Sequence, residues 1–321
     1  MEYRALGNSG LQVSVAGLGT NNFGRRCDLE QTTAVINKAL DVGVTFIDTA
    51  DVYGDTLSEE FIGKALTGHR EDVVLATKFE RPTGEGALHS GTSRRYIMNA
   101  IQNSLRRLNT DYIDLYQIHY WNNATPIEET LRALDDLVRN GDVRYIGCSN
   151  FAAWQIVEAV WTGRAEHLTP LISAQHNYNL LDRSVEKDVV PVAQRYGLGV
   201  IPYFPLASGF LTGKYRQGEA APAGTRLAAG GRMAERALTD RNFQVLQKLE
   251  GFAEAHDHTV GELALAWLAS QPAVGSVIAG ATKPEQVEAN VRALEWKLTQ
   301  ADLAELEAEL GSGADGDGRR N

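Results

Sequence analysis

The sequence predicts an α/β protein of the (β/α)8 TIM-barrel type. Three observations carry that reading: eight short, apolar, β-branched runs; longer amphipathic runs between them; and no glycine-rich dinucleotide fingerprint after the first run. Alternating strand and helix signals imply parallel strands joined by crossover helices. Eight such units can close on themselves and leave no sheet edge. A doubly wound open sheet is the competing architecture. It calls for a G-x-G-x-x-G turn, and the nearest run, Gly17-Leu-Gly19-Thr-Asn-Asn-Phe-Gly24, has the wrong spacing.

The opening YRALGNSGLQVS reads as an N-terminal β-hairpin turning at Asn8-Ser9-Gly10. The barrel strands come next, as VAGLG from Val15, TFIDT from Thr45, VVLATK from Val73 and IDLYQIH from Ile113. The other four are VRYIGCS from Val143, ISAQHNY from Ile172, LGVIPY from Leu198 and GSVIAG from Gly275. Helical patterns lie between them, such as SRRYIMNAIQNSLRRL from Ser93 and PIEETLRALDDLVRNG from Pro126. The second has proline near its start and glycine after its end, the usual punctuation of a helix. A long Gly/Ala/Arg-rich connection from Leu206 to about Asp240 comes after the seventh strand, and loops of that length are usually functional. Residues 1–310 are expected to form one barrel domain and 311–321, GSGADGDGRRN, a disordered tail.

The 321 residues are 43% hydrophobic and 22% charged, ordinary for a large globular core. A formal charge of −10 excludes nucleic acid as a natural partner, because phosphate backbones require a basic face. It leaves room for an anionic small molecule, which needs only local cations. No apolar run reaches membrane-spanning length. Cys27 and Cys148 stand far apart without zinc-ligand spacing. A cytoplasmic protein with reduced thiols is expected; oligomeric state is not legible.

Catalytic groups of such barrels sit at the C-terminal strand ends and in the loops beyond. Those ends carry Asp48 after TFI, Lys78 after VVLAT and His119 after LYQI, and Tyr53 comes after Asp48 in the loop DTADVYG. Each alone has an ordinary reading as a paired or packing residue; four ionisable groups on one rim are harder to dismiss. A phenol titrates near 10, too weakly acidic for efficient proton donation near neutrality. A nearby ammonium lowers that value. Lys78 is placed to do this, Asp48 to hold Lys78, and His119 to orient a carbonyl oxygen or relay a proton. Asn22, Phe23, Tyr120 and Trp121 are expected to line the mouth of the site.

DTADVYG, ATK, the strand ending in IH and the run RYIGCSNF resemble the signature segments of the aldo-keto reductases, and the resemblance runs from about Tyr3 to Leu298. GFLTGKYR and PEQVEAN are most similar to the branch of bacterial reductases and potassium-channel β-subunits. The resemblance implies a tetrad of Asp48, Tyr53, Lys78 and His119, with Tyr53 as general acid and no metal. It implies hydride transfer from NADPH, or alternatively NADH, to an aldehyde or ketone. Ser149, Asn150 and Gln175 match the residues that hold the nicotinamide carboxamide, and an amide does need acceptors and donors in one plane. Tyr203 matches the aromatic that stacks on the nicotinamide.

Pro205, Leu206, Ser208, Gly209 and Lys214 resemble the pyrophosphate clamp, where small residues admit backbone N–H groups to phosphate. Gly280, Thr282, Lys283, Gln286 and Asn290 match the residues facing the adenosine 2′-phosphate and adenine. Thr282 with Glu285 forms a candidate capping box, Pro284 suits a first turn, and a helix N-terminus favours phosphate. The chain departs from the family pattern in two places. Ala289-Asn290 stands where Glu-Asn is common, and Gln286 stands where some branches place an arginine on the 2′-phosphate; Lys283 is the available substitute.

Two other classes compete with a carbonyl reductase. One is a cofactor-sensing regulatory subunit with slow hydride transfer; the channel β-subunits carry asparagine where this chain has His119, which favours the enzyme. The other is a different barrel enzyme, such as a phosphate-dependent isomerase. The remaining side chains have ordinary readings. His256 and His258 are expected to be solvated, Arg94-Arg95 and Arg106-Arg107 to lie on a solvated helix face, and Cys148 to be buried and inert. Relatives often carry glutamate at His176, and nothing in the sequence accounts for the histidine.

Overall fold

The N-terminal hairpin pairs β1 (Tyr3–Ala5) with β2 (Gln12–Ser14), Ala5 opposite Gln12. The structure, a computed structural model, describes residues 1–86 and 88–311; apart from Gly311, the expected tail lies outside the described residues. Gly7 at the hairpin turn has φ +57°, and a Cβ there would stand 2.5 Å from the Gly197 carbonyl oxygen and 2.6 Å from that of Ile172. Only glycine allows the hairpin to sit this close to the strand ends.

The barrel strands are β3 (Ala16–Gly19), β4 (Phe46–Asp48), β5 (Val74–Phe79), β6 (Ile113–Ile118), β7 (Val143–Ser149), β8 (Leu171–Asn177), β9 (Gly199–Tyr203) and β10 (Val277–Gly280). They run parallel in chain order, with β10 beside β3. Closure between β9 and β10 is almost complete. It runs through one bridge just before β10, where Val200 donates to the Ala273 carbonyl at 2.8 Å and accepts from Gly275 N–H at 3.0 Å. All eight expected strands are present, with ends displaced by no more than two residues.

The first six helices are α1 (Leu29–Asp41), α2 (Leu57–Ala65), α3 (Arg94–Leu108), α4 (Ile127–Asn140), α5 (Ala153–Ala165) and α6 (Val189–Tyr196). After β9 come α7 (Gly231–Ala237), α8 (Asp240–Ala255) and α9 (Val260–Ser270), and after β10 come α10 (Pro284–Ala293) and α11 (Gln300–Leu310). The starts obey local chemistry: Ser93 caps α3 through the Tyr96 N–H, and Asp28 forms a capping box with Gln31 on α1. α4 ends at Gly141 with φ +85°. None of the described helices is long and apolar enough to cross a membrane.

Two apolar layers hold the sheet. One lies between strands and helices. The other fills the barrel's interior, where Phe46, Ala76, Leu115, Ile172, Ile201 and Ile278 meet Leu6 and Val13 of the hairpin. The hairpin is thus a plug, and Leu6 is fully buried.

Two surface expectations are corrected. Arg107 is not a solvated residue; its guanidinium lies 2.6–2.7 Å from Glu59, which is fully buried on α2 and also accepts from Thr77 at 2.6 Å. A buried carboxylate needs such a partner, and the packing of α3 on α2 supplies it. His256 and His258 are only half exposed: His256 stacks on Phe252 and His258 on Trp296, with ring centroids 4.4 and 3.9 Å apart. The long connection after β9 is also not featureless, holding 3-10 turns at Ala207–Thr212 and Leu227–Ala229 before α7.

Leu6→Ala should cost about 2–5 kcal/mol, the range for a leucine emptied from a packed interior. Urea unfolding checks this; a change below about 1 kcal/mol would mean that the hairpin does not plug the barrel.

Candidate active site

The C-terminal ends of β4, β5 and β6 bring Asp48, Lys78 and His119 to one rim. Lys78 is fully buried. Its ammonium donates to Asp48 Oδ2 at 2.7 Å and to the Thr49 carbonyl at 2.8 Å, and it also faces the Tyr53 phenol, 5.2 Å from the ring centre. Asp48 Oδ1 accepts from Gln175 at 2.8 Å and Gln117 at 3.2 Å. Both carboxylate oxygens are therefore satisfied, which is what a buried charge requires.

Burial opposes the charge on Lys78, but Asp48 and Tyr53 outweigh it and hold its pKa above the ordinary value. For Tyr53 the expectation from the sequence is reversed. Burial raises the phenol's pKa and outweighs the pull of Lys78. The phenol is therefore fully protonated at neutral pH. It remains acidic enough for a reaction that generates an alkoxide, which is far more basic than a phenolate. His119, edge-on to Tyr53 with centroids 6.1 Å apart, is pushed down to about 3 by burial, then by Lys78 and Arg81. It is a neutral imidazole at physiological pH, suited to orienting a carbonyl oxygen rather than delivering a proton as imidazolium.

These groups open into a cavity of about 1260 Å³ that runs across the C-terminal face of the barrel. Tyr53, His119, Asp48, Asn22 and Tyr120 are among the residues that line it. Ser149, Asn150, Gln175 and Tyr203 line it as a linked set. Tyr203 donates to Asn150 Oδ1 at 2.8 Å, Asn150 to Ser149 Oγ at 3.0 Å, and Ser149 to the Gln175 carbonyl at 3.1 Å. Asn150 holds φ +58°, a left-handed conformation that turns its amide back onto the His119 carbonyl at 3.1 Å.

Pro205, Leu206, Ser208, Gly209 and Lys214 continue the wall. Here Phe204, Ala207, Ser208 and Gly209 have φ of +52°, +45°, +60° and +93°. Such backbone curls around concave, anion-sized spaces and is costly for residues with side chains. Gly280, Thr282, Lys283, Gln286 and Asn290 also line the cavity, Gly280 standing close to Asn22.

Three expectations are corrected by these contacts. Phe23 does not line the mouth: it is fully buried in the core. Trp121 does not line the cavity either, being packed edge-on to Phe151 and Trp154 at 5.1 and 5.6 Å. Phe23 gains more from full burial than from an open rim, and Trp121 is half-buried against its two aromatic neighbours. The Thr282–Glu285 capping box does not form. Gln286 Oε1 instead accepts from Thr282 N–H at 2.7 Å and Thr282 Oγ1 at 3.2 Å, and Lys283 is the cap residue of α10. His176 does not join the cavity lining; it is buried, its Nε2 has no partner among the described residues, and burial lowers its pKa to about 4.

The structure adds residues that the sequence did not single out. Gln117 is buried in a strand whose hydrophobic pattern masks it. Arg226, in the long connection, reaches across the cavity and donates to Asn21 Oδ1 at 3.0 Å and Asn22 Oδ1 at 2.8 Å, while Arg26 donates to the Gly224 carbonyl at 2.8 Å. Only the fold brings these segments, some 200 positions apart, together as a strap. The lining is cationic in an acidic protein: Arg25, Arg26, Arg81, Lys214, Arg226 and Lys283 stand against Asp48, Asp55 and Glu262. Of these acids Asp48 is bound to Lys78 and Glu262 caps α9.

An eight-stranded parallel barrel with an Asp–Lys–Tyr–His cluster at its C-terminal rim has the layout of a barrel enzyme, whose reacting groups sit at those strand ends. The model of the aldo/keto reductase family matches residues 16–310, and the chain belongs to that family. It is 38% identical over 304 residues to the "Probable voltage-gated potassium channel subunit beta" of Oryza sativa subsp. japonica, covering 92% of each chain. It is 38% identical over 319 residues to the "Uncharacterized oxidoreductase YrpG" of Bacillus subtilis, covering 95% of each. It is 34% identical over 326 residues to the "L-glyceraldehyde 3-phosphate reductase" of Escherichia coli, covering 98% of this chain and 93% of the relative. Membership implies exchange of hydride between a nicotinamide cofactor and a small carbonyl compound.

Beside the tetrad, Asp51 is buried and neither carboxyl oxygen has a hydrogen-bond partner among the described residues. Burial, then Glu59, hold its pKa well above the ordinary value against the pull of Arg107. The folded protein binds this proton more tightly than the unfolded chain, so it loses stability as pH rises from the unfolded pKa near 3.9 through the folded one. Asp51→Asn should raise the urea midpoint at pH 8 relative to wild type, with a smaller difference at pH 4. A lower midpoint at pH 8 would mean that the carboxylate is charged and paired in the fold.

Proposed function

We propose that this protein reduces aldehydes or ketones of modest size to alcohols with NADPH, and that Tyr53 gives the oxygen its proton. The carrying observation is the fully buried Lys78 shared between Asp48 and Tyr53 at the edge of the cavity. A dinucleotide fits what the wall offers. The cavity exceeds the ~300–1,000 Å³ of common ligand sites, its backbone curls at 204–209, and cations stand at Lys214, Arg226 and Lys283. When bound there, the cofactor supplies the hydride that goes to the carbonyl carbon.

The protein's own groups supply the rest. His119, neutral, orients the carbonyl oxygen toward the Tyr53 hydroxyl. Tyr53 transfers its proton as negative charge grows on that oxygen. Lys78 stabilises the phenolate left behind, and Asp48 keeps the ammonium in place and charged. Ser149, Asn150 and Gln175 are assigned to the nicotinamide amide and Tyr203 to the nicotinamide face. Pro205, Leu206, Ser208, Gly209, Lys214 and Arg226 are assigned to the pyrophosphate. Gly280, Thr282, Lys283, Gln286 and Asn290 take the adenosine end.

A cofactor-sensing subunit with slow turnover is the second reading, motivated by the relatives named as channel subunits. A neutral His119 aimed at the site favours the enzyme.

Lys283→Ala should weaken NADPH roughly ten- to a hundredfold and NADH little, since a charge-assisted contact is worth about 1.5–3 kcal/mol and only NADPH carries the 2′-phosphate. Fluorescence titration with both cofactors checks this. Equal weakening would remove the 2′-phosphate from Lys283.

Tyr53→Phe should leave NADPH binding near wild type and lower aldehyde turnover by at least ~10²–10⁴, the range for losing a general acid. Lys78→Met should also cripple turnover, and the double mutant should lose little more, because both act on one proton transfer. Near-wild-type turnover in Tyr53→Phe would show that another group donates the proton. Slow turnover of every reactive aldehyde by the unaltered protein would favour the sensing subunit.

A further inference from the structure

The cations at the adenosine and pyrophosphate parts of the cavity are accounted for by a dinucleotide's phosphates. Arg81 is not. It stands three residues beyond Lys78, at the tetrad end, and its guanidinium lies over the Tyr120 ring at 5.3 Å. Tyr120 in turn stacks on His119, with centroids 5.1 Å apart and planes 21° from parallel. Arg81, Tyr120, His119 and Tyr53 thus form one continuous series of side chains lining the cavity. The residue before Arg81, Glu80, holds φ +112°, a conformation that side chains rarely adopt and that persists only where surrounding structure imposes it.

Two further facts bear on what Arg81 is for. Its guanidinium acts on the charge of the adjoining Glu80 but makes no hydrogen bond or close ion pair with any described residue, although an arginine carries five donors. Arg25, which also lines the cavity, has a guanidinium with no such partner either. The one carboxylate of the lining that is left without a bound cation or a capping role is Asp55, on the loop after Tyr53. An aromatic platform that presents a guanidinium with all of its donors free is a ready receptor for a planar or tetrahedral oxyanion.

We propose that Arg81 is a substrate-binding residue, and that the carbonyl compound this protein reduces carries an anionic group, a carboxylate or a phosphate, a short chain away from its carbonyl. The proposal rests on the reductase reading above. Stacking on Tyr120 fixes the guanidinium relative to His119. The anion and the carbonyl oxygen are then gripped at two points, and the carbonyl is aligned for Tyr53. Arg25 adds positive potential at the entrance.

The test uses two matched pairs of substrates at saturating NADPH. Succinic semialdehyde is compared with butanal, and glyceraldehyde 3-phosphate with glyceraldehyde, on the wild-type protein and on Arg81→Gln. At least one anionic member should exceed its neutral partner in kcat/KM by about tenfold or more, mainly through KM, as expected for a charge-assisted contact. The pair that shows it identifies the anion. In Arg81→Gln that ratio should fall to within about threefold of one, while NADPH quenching of protein fluorescence shows the variant folded. A ratio near one for both pairs in the wild type overturns the proposal and leaves the reductase intact. So does a preference that survives in Arg81→Gln. Failure to oxidise NADPH with any of the four compounds overturns the reductase reading itself, and this proposal with it.

Discussion

A buried ion pair, Lys78 with Asp48, is the constraint on which the functional end of this barrel is built. Taking both charges out of water is expensive, and their attraction repays the cost only if geometry and the remaining hydrogen bonds are complete. They are complete here: the carboxylate also holds Gln117 and Gln175, and the ammonium also holds the Thr49 carbonyl. Removing one partner would leave an uncompensated charge in the fold, a loss of about 3–5 kcal/mol in comparable cases. The pair therefore locks four strands, β4, β5, β6 and β8, at their C-terminal ends.

The same lock separates two kinds of interior. Below it the barrel is apolar and closed by the hairpin, with Leu6 seated where a side chain at Gly199 or Gly275 would collide with it. Above it the inward-facing groups are polar, and several hold one another: Tyr203 is held by Asn150, and Asn150 by Ser149 and by the His119 carbonyl. The apolar lower layer supplies stability, and the polar upper layer supplies prepositioned donors and acceptors. Prepositioning matters because polar groups that do not reorganise during reaction stabilise developing charge more effectively than water does.

Burial and neighbouring charges together set the protonation states. Tyr53 is kept as a neutral phenol, Lys78 as an ammonium and His119 as a neutral imidazole, three different outcomes within one cluster. In the reaction proposed above, roles divide accordingly: the phenol has the proton to give, the cation stabilises what remains, and the imidazole directs the carbonyl. The strap from Gly224 to Arg226 then crosses the open face of the cavity and ties to Asn21 and Asn22. It adds a guanidinium to a lining whose positive character opposes the net charge of the chain.

What the sequence determined by itself was local or periodic. Eight β-branched runs between amphipathic runs specified the parallel barrel, and Ser93 and Gly141 marked helix ends because capping acts within one turn. Strand-end positions of Asp48, Lys78 and His119 were legible because a barrel sends those ends to one rim. Tertiary structure alone decided what depends on distant partners. It put Phe23 in the core and Trp121 against Phe151, since periodicity does not tell a loop aromatic that packs from one that lines a mouth. It paired Arg107 with the buried Glu59, drew Arg226 to Asn22 across some 200 residues, and set Gln286 on Thr282 in place of a capping box. It also reversed the expected direction for Tyr53, because a nearby ammonium can be read from chain order, whereas the depth of burial that outweighs it exists only once the chain has folded.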